Sequence, residues 1–192
     1  MKERFKRELV RKTFHLTAIS VPLFYVVFGR DIVIFYTAAS LLFFVILEFI
    51  RVRAHSIFPL GKTADLIQRQ GEKNSIAASI YFCVAALGAL FFLDERAVVV
   101  GLSAALIGDA AAALAGTGIG EHKIKSGKTV EGTLAGILVA TLIAYLLNSN
   151  FATIFAVGIV FLVFDLVDFR FDDNFTLPLA IAIVVQVLEV LL

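Results

Sequence analysis

Residues Ala97–Ala115 read AVVVGLSAALIGDAAAALA, nineteen residues with one charged group among them, Asp109. A helix that crosses a hydrocarbon core needs about 20 mostly apolar residues. The stretch meets that length, and a lone carboxylate inside it is expensive unless something neutralises it. Blocks of the same kind recur on both sides. Segments near 13–29, 31–50, 76–93, 97–115, 132–148, 151–167 and 175–192 approach spanning length, seven in all. The first departs most from the type, because His15 and Pro22 lie inside it. The expected fold is all-α, a polytopic membrane helical bundle of about seven transmembrane helices. It forms a single integral membrane domain over 1–192 with its N-terminus in the cytoplasm.

Composition agrees. Apolar residues make up 60% of the chain and charged residues only 17%, with a mean hydropathy of +0.94. A soluble domain has about half and about a quarter. The net charge of +1 gives no global basic field, so no nucleic-acid partner is expected. Cys83 is the only cysteine, which excludes an intrachain disulfide. The N-terminus has the basic-then-apolar order of a signal peptide. No small-residue cleavage site follows and the rest of the chain is itself apolar in blocks, so it is read as part of the domain.

The charges lie between the blocks. Three connections are short, near 29–31, 94–96 and 148–150, and three are longer and polar, 51–75, 116–131 and 168–174. Seven crossings put the N-terminus and the longer loops on one side. Of the 17 Lys and Arg residues, all but Arg30 and Arg96 fall there. The positive-inside rule makes that side cytoplasmic. Within 51–75, Pro59 can open a short helix in which Leu60, Ala64 and Ile67 recur at helical spacing, as in an interfacial helix.

Several residues on that side carry chemistry. Asp109 sits among small residues, Gly108 before it and Ala110–Ala113 after it, about 10 Å from the inner helix end at 1.5 Å per residue. Small neighbours let another helix or a substrate approach closely. The loop beyond reads GTGIGEHKIKSGKTVEG over 116–132. Gly116, Gly118 and Gly120 offer flexible backbone with free N–H donors. Gly127, Lys128 and Thr129 open the fifth segment, and a helix N-terminus with a lysine is a natural phosphate site. It is not a Walker A loop: the glycine required five positions before Gly127 is His122, and no strand precedes it. Glu8, Arg11, Lys12 and His15 share one helical face. Arg69, Glu72 and Lys73 precede the third segment. Asp165, Asp168, Arg170, Asp172, Asp173 and Asn174 gather at the last loop, a donor set that suits a hard cation such as Mg²⁺.

These residues resemble a known group. Gly108-Asp109 with its small-residue stretch, Gly116, and Gly127-Lys128-Thr129-Val130-Glu131-Gly132 are similar to the CTP-using lipid kinase and cytidylyltransferase superfamily. The kinase branch, with dolichol kinase, phytol kinase and CTP-dependent diacylglycerol kinase, is resembled further by three features. They are Arg11-Lys12-Thr13-Phe14-His15, the Arg69…Glu72 pair and Asp172-Asp173-Asn174-Phe175-Thr176-Leu177-Pro178. The resemblance covers most of the chain. The His-Gly-Gly…Asp-Arg-x-Asp ending of the cytidylyltransferase branch is lacking.

The resemblance implies CTP as donor, Mg²⁺, and a lipid alcohol in the bilayer that becomes a monophosphate, acted on at the cytoplasmic face. An isoprenoid alcohol (dolichol, phytol or geranylgeraniol) is the preferred acceptor, with diacylglycerol as the other. It implies a catalytic set of Asp109, His15, Lys128 and Glu131. Arg11, Lys12, Gly116, Gly118, Gly120, Gly127, Lys128, Thr129 and Asn174 would hold the nucleotide, and Asp109 and Asp173 the metal. Asp109 could instead be the base on the lipid hydroxyl. Two rivals stand beside this reading. One is transfer of CMP to a lipid phosphate. The other is a transporter or channel, which would spread its ionisable residues through the depth of the spans.

Overall fold

The computed structural model describes residues 2–53, 77–124, 127–167 and 171–192. The expected interfacial helix in 51–75, the Arg69, Glu72 and Lys73 group, and Lys125, Asp168 and Arg170 fall outside the described residues. Among the described residues, eight α-helices follow in chain order: α1 Lys2–Leu16, α2 Ser20–Phe28, α3 Arg30–Arg53, α4 Ala78–Phe92, α5 Glu95–Gly118, α6 Val130–Leu146, α7 Phe151–Leu166 and α8 Asp173–Leu191. Among the described residues there is no strand, only an isolated antiparallel bridge between Lys123 and Thr129. Three helices are long and apolar enough to cross a membrane, over Arg30–Arg51, Glu95–Gly118 and Asp173–Leu191, and α4, α6 and α7 are shorter apolar helices.

Six of the seven expected segments match a single helix. The first does not. Residues 13–29 are divided among the end of α1, a 3₁₀ turn at Thr17–Ile19, and the nine-residue α2. His15 therefore closes a polar helix where it was expected to open an apolar one. Pro22 falls in the first turn of α2, where its missing N–H costs least. Gly29 ends that helix at φ 78°, a conformation that favours glycine.

The helix starts have local causes. Asn150 caps α7 by accepting from the Thr153 N–H at 2.8 Å, and Thr129 caps α6 through the Gly132 N–H at 3.1 Å. Asp172 caps α8 through the Asn174 N–H at 2.8 Å. Such a cap is worth about 1 kcal/mol.

Helix α5 is the centre of the bundle. It packs against α1, α2, α4, α6 and α8. Its residues enter two cores. Val98, Leu102 and Leu106 meet Tyr25, Val33, Phe82 and Leu90, while Val100 and Ala104 meet Ala140, Val157, Phe161 and Ile181. Small residues make the approach close. A Cβ on Gly101 would lie 2.5 Å from the Ala182 Cα, and one on Gly108 would lie 2.7 Å from the Phe161 ring. Close packing of this kind holds helices together where the surroundings are themselves apolar. The outer surface is of that character. Phe35, Leu138, Phe155 and Val190 are 77%, 68%, 71% and 72% exposed.

Polar contacts mark the two ends. At one, Arg30 donates to the Leu93 carbonyl at 2.6 Å and to the Tyr25 hydroxyl at 2.9 Å. Asp94 and Gln186 exchange two hydrogen bonds of 2.7 Å, and Arg96 holds the Asn148 carbonyl and Glu189. The three short connections and the end of α8 thus meet there, with both basic residues of the minority side. The remaining charged pairs that link separate helices lie at the other end.

Candidate active site at one end of the bundle

Helix α1 is amphipathic in reverse. Lys12 is buried and Glu8, Arg11 and His15 are half-buried, while Phe5, Leu9, Val10 and Phe14 are exposed. The polar face turns inward because α5 presents Asp109 to it. The Lys12 ammonium donates to Asp109 Oδ2, and His15 Nε2 lies 3.5 Å from the same oxygen. Lys12 is all but sealed, whereas the Asp109 side chain keeps about a third of its surface, 34%. Arg11 is engaged with Glu8 one turn back.

Asp109 opens on a half-open cleft between α1, α4, α5 and α8. Its polar end is formed by His15, Asp109, Asp173 and Asn174. Its wall is Phe82, Leu106, Leu177 and Pro178. Pro178 lies inside α8 and has no N–H to give the Asn174 carbonyl one turn earlier, so that oxygen is left for another donor or ligand. The cleft is narrow, with polar groups at one end and apolar side chains along its wall.

Lys128 stands beside this cleft, between two carboxylates. Its ammonium is 3.2 Å from Asp165 Oδ1, at the end of α7, and 3.4 Å from Asp173 Oδ2, at the start of α8. The Thr133 hydroxyl donates to the other Asp165 oxygen at 2.5 Å. Burial works against the Lys128 charge, but Asp173 and Asp165 outweigh it and hold its pKa above the ordinary lysine value.

The loop from α5 to α6 folds back on itself. Ile124 N–H donates to the Lys128 carbonyl at 2.8 Å and Val130 N–H to the His122 carbonyl at 2.9 Å, with Gly127 turning at φ 74°. Glu131 braces it, taking the His122 ring nitrogen at 2.6 Å and the His122 backbone N–H. The ring hydrogen bond brings the Glu131 carboxyl down to about 2.

The chain is 31% identical over 182 residues to the uncharacterized protein MJ1137 of Methanocaldococcus jannaschii, covering 94% of this chain and 93% of that protein. The chain belongs to the family of that archaeal protein. No family model and no solved structure matches it.

The structure brings Lys12, His15, Asp109, Asp173, Asn174 and Lys128 to one end of the molecule, as one cleft and its rim. Glu131 is engaged with His122 at the surface, away from the cleft lining. Gly116 and Gly118 lie in the last turn of α5, whose hydrogen bonds take their N–H groups, and Gly116, Gly120 and Gly132 are tightly packed. They close around Thr129: a Cβ on Gly120 would lie 2.3 Å from the Gly116 carbonyl and 2.6 Å from Thr129 Oγ1, and one on Gly132 2.7 Å from the Ala112 carbonyl. Gly118 packs against Phe5, where a Cβ would come within 3.2 Å of the ring. The sequence reading missed Thr133. It singled out Glu8, by its helical face, and Asp165, as an acid just before the last loop, without the partners they take, Arg11 and Lys128.

Among the described residues, no three or more His, Cys, Asp and Glu side chains form a metal centre on their own. The Asp109 and Asp173 carboxylates and the Asn174 amide line one cleft, with Asp109 engaged by Lys12 and Asp173 by Lys128. Mg²⁺ characteristically takes one or two carboxylates and completes its shell with substrate phosphates and water.

Proposed function

We propose that the chain is a polytopic integral membrane enzyme, crossing the bilayer with about seven segments, that transfers the γ-phosphoryl group of CTP to the hydroxyl of a membrane lipid alcohol. The observation that carries this reading is the cleft: hydroxyl- and phosphate-handling groups at its tip, an apolar wall behind them, and Lys128 at its rim. A soluble substrate would not need the wall. An isoprenoid alcohol suits it best, because its single hydroxyl ends an unbroken hydrocarbon body. The clustering of ionisable groups at one end also favours this reading over a transporter.

Phosphoryl transfer asks a protein mainly to position groups and neutralise charge. In the proposed site the lipid hydroxyl lies at His15 and Asp109, and Lys128 with the start of α6 holds the triphosphate. Lys12 balances the Asp109 charge, so Asp109 can stay ionised at this depth and serve a metal together with Asp173. His15 is then the nearest group to take the hydroxyl proton. The lipid oxygen bonds to the γ-phosphorus, the bond from that phosphorus to the β–γ bridging oxygen breaks, and CDP leaves. When bound, Mg²⁺ supplies charge neutralisation on the triphosphate. The active end is assigned to the cytoplasm, where CTP is found and where the basic residues are expected.

The test is purified protein with Mg²⁺, CTP or ATP, and a panel of isoprenols and diacylglycerol, with products resolved by mass. The expected products are CDP and a lipid monophosphate. Pyrophosphate release from a lipid phosphate substrate would establish CMP transfer instead. Preference for ATP, or no lipid product from any acceptor, would remove the reading.

A further inference from the structure

Lys128 touches two carboxylates that differ in every other respect. Asp165 is the more buried, its side chain 14% exposed against 52% for Asp173. Both Asp165 oxygens are engaged, Oδ1 with the Lys128 ammonium and Oδ2 with the Thr133 hydroxyl. Thr133 is itself buried in α6, one turn after the Thr129 cap. Asp165, at the end of α7, is thereby held at both oxygens by α6 and the residue just before its cap. Asp173 reaches Lys128 through one oxygen at the longer distance and also lines the cleft.

We propose that Asp165 is a positioning residue for Lys128, held by Thr133, and that Asp173 is the exchangeable partner that gives way to a polyphosphate. The inference rests on the reading of Lys128 as the phosphate ligand. An incoming triphosphate replaces the weaker, exposed carboxylate, and the ammonium stays aimed because its second contact does not move. Asp173 is then released toward the cleft. The arrangement explains why a lysine meant for an anion tolerates two acids beside it: one is a post and the other a placeholder.

The two carboxylates give opposite predictions, and simple charge repulsion does not. If both acids merely repelled an anion, neutralising either would tighten binding. Here Asp173→Asn should tighten metal-free CTP binding several-fold, while Asp165→Asn should weaken it about tenfold. Thr133→Val should weaken it in the same direction and Thr133→Ser should restore it. Titration calorimetry with CTP on detergent-purified protein reads this, with KM for CTP rising in Asp165→Asn more than kcat falls. Tighter or unchanged CTP binding in Asp165→Asn would overturn the proposal. Wild-type protein that binds no CTP, with or without Mg²⁺, would remove the kinase reading. The placement of Lys128 would then be decided by competitive acylation of its amine. Higher reactivity in Asp165→Asn than in Asp173→Asn supports the post, and equal reactivity overturns it.

Discussion

Removing either partner of the Lys12–Asp109 pair should destabilise the protein, but unequally. Lys12 is buried, with 3% of its side chain exposed, against 34% for Asp109. Asp109→Asn removes the carboxylate to which an almost fully buried ammonium donates. Breaking a buried pair this way costs about 3–5 kcal/mol. Lys12→Met strands a carboxylate that can still draw on solvent and on His15 at 3.5 Å. Its cost should fall below that range, at about 1–3 kcal/mol, the scale of a partly desolvated polar group. The double variant Lys12→Met with Asp109→Leu leaves no stranded charge and should recover most of the loss. The assay follows from the sequence. The chain has no Trp and one cysteine, the buried Cys83, so thiol labelling during denaturation reports unfolding without engineering. Equal losses in the two single variants, or an additive double variant, would refute the reasoning. The asymmetry also bears on activity: a dead Asp109→Asn is informative only beside a folded Lys12→Met/Asp109→Leu.

Gly120→Ala and Gly132→Ala should each lose about 1–3 kcal/mol of stability, the overpacking scale, because the new methyl meets backbone at 2.3 and 2.7 Å. Gly127→Ala meets open space and has only its φ of 74° against it, so its loss should be nearer 1 kcal/mol; thermal midpoints rank the three. The Glu131 carboxyl is depressed in the folded protein, so its pairing with His122 steadies the loop above pH 4.5 and is lost as the pH falls toward about 2. Limited proteolysis between Ile119 and Val130 should rise over that window, and a His122→Ala chain, which keeps only the backbone hydrogen bond at 122, should show a smaller step. A cysteine at position 123, in a Cys83→Ala background, should be labelled from the cytoplasmic side of the membrane and not from outside intact cells; labelling from outside would reverse the assigned topology.

Helix placement was largely legible because apolar blocks and polar breaks are properties of the chain itself. The short breaks at Gly29, Leu93–Asp94 and Leu147–Asn150 lie where glycine, charged or amide residues interrupt the apolar blocks. Residues 13–29 were misread for a physical reason. Apolar length was counted across Thr17 and Pro22, while the helix that matters there, α1, is polar on the face it buries. Sequence spacing showed that Glu8, Arg11, Lys12 and His15 share a face. It could not show that this face turns inward, since an exposed Phe14 is ordinary only where the surroundings are apolar. The pairings of Lys12 with Asp109 and of Lys128 with Asp165 span too many residues for any local pattern to reveal. The glycines misled because a flexible, donor-rich loop and a tightly packed one have the same composition. Only the contact between Gly120 and Thr129 separates them.

The reversed amphipathicity of α1 and the burial of Lys12 have one cause. A carboxylate on the central helix needs a positive partner, and a lysine can reach it only from a helix that turns its charges toward α5. From Glu8 onward that helix then presents its other face outward, and Leu9, Val10 and Phe14 lie on it. α1 packs mainly on α5 and meets it through these same charged groups. The contacts that neutralise Asp109 therefore also dock the helix. The polar end of the cleft is complete only with α1 in place, because His15 comes from it.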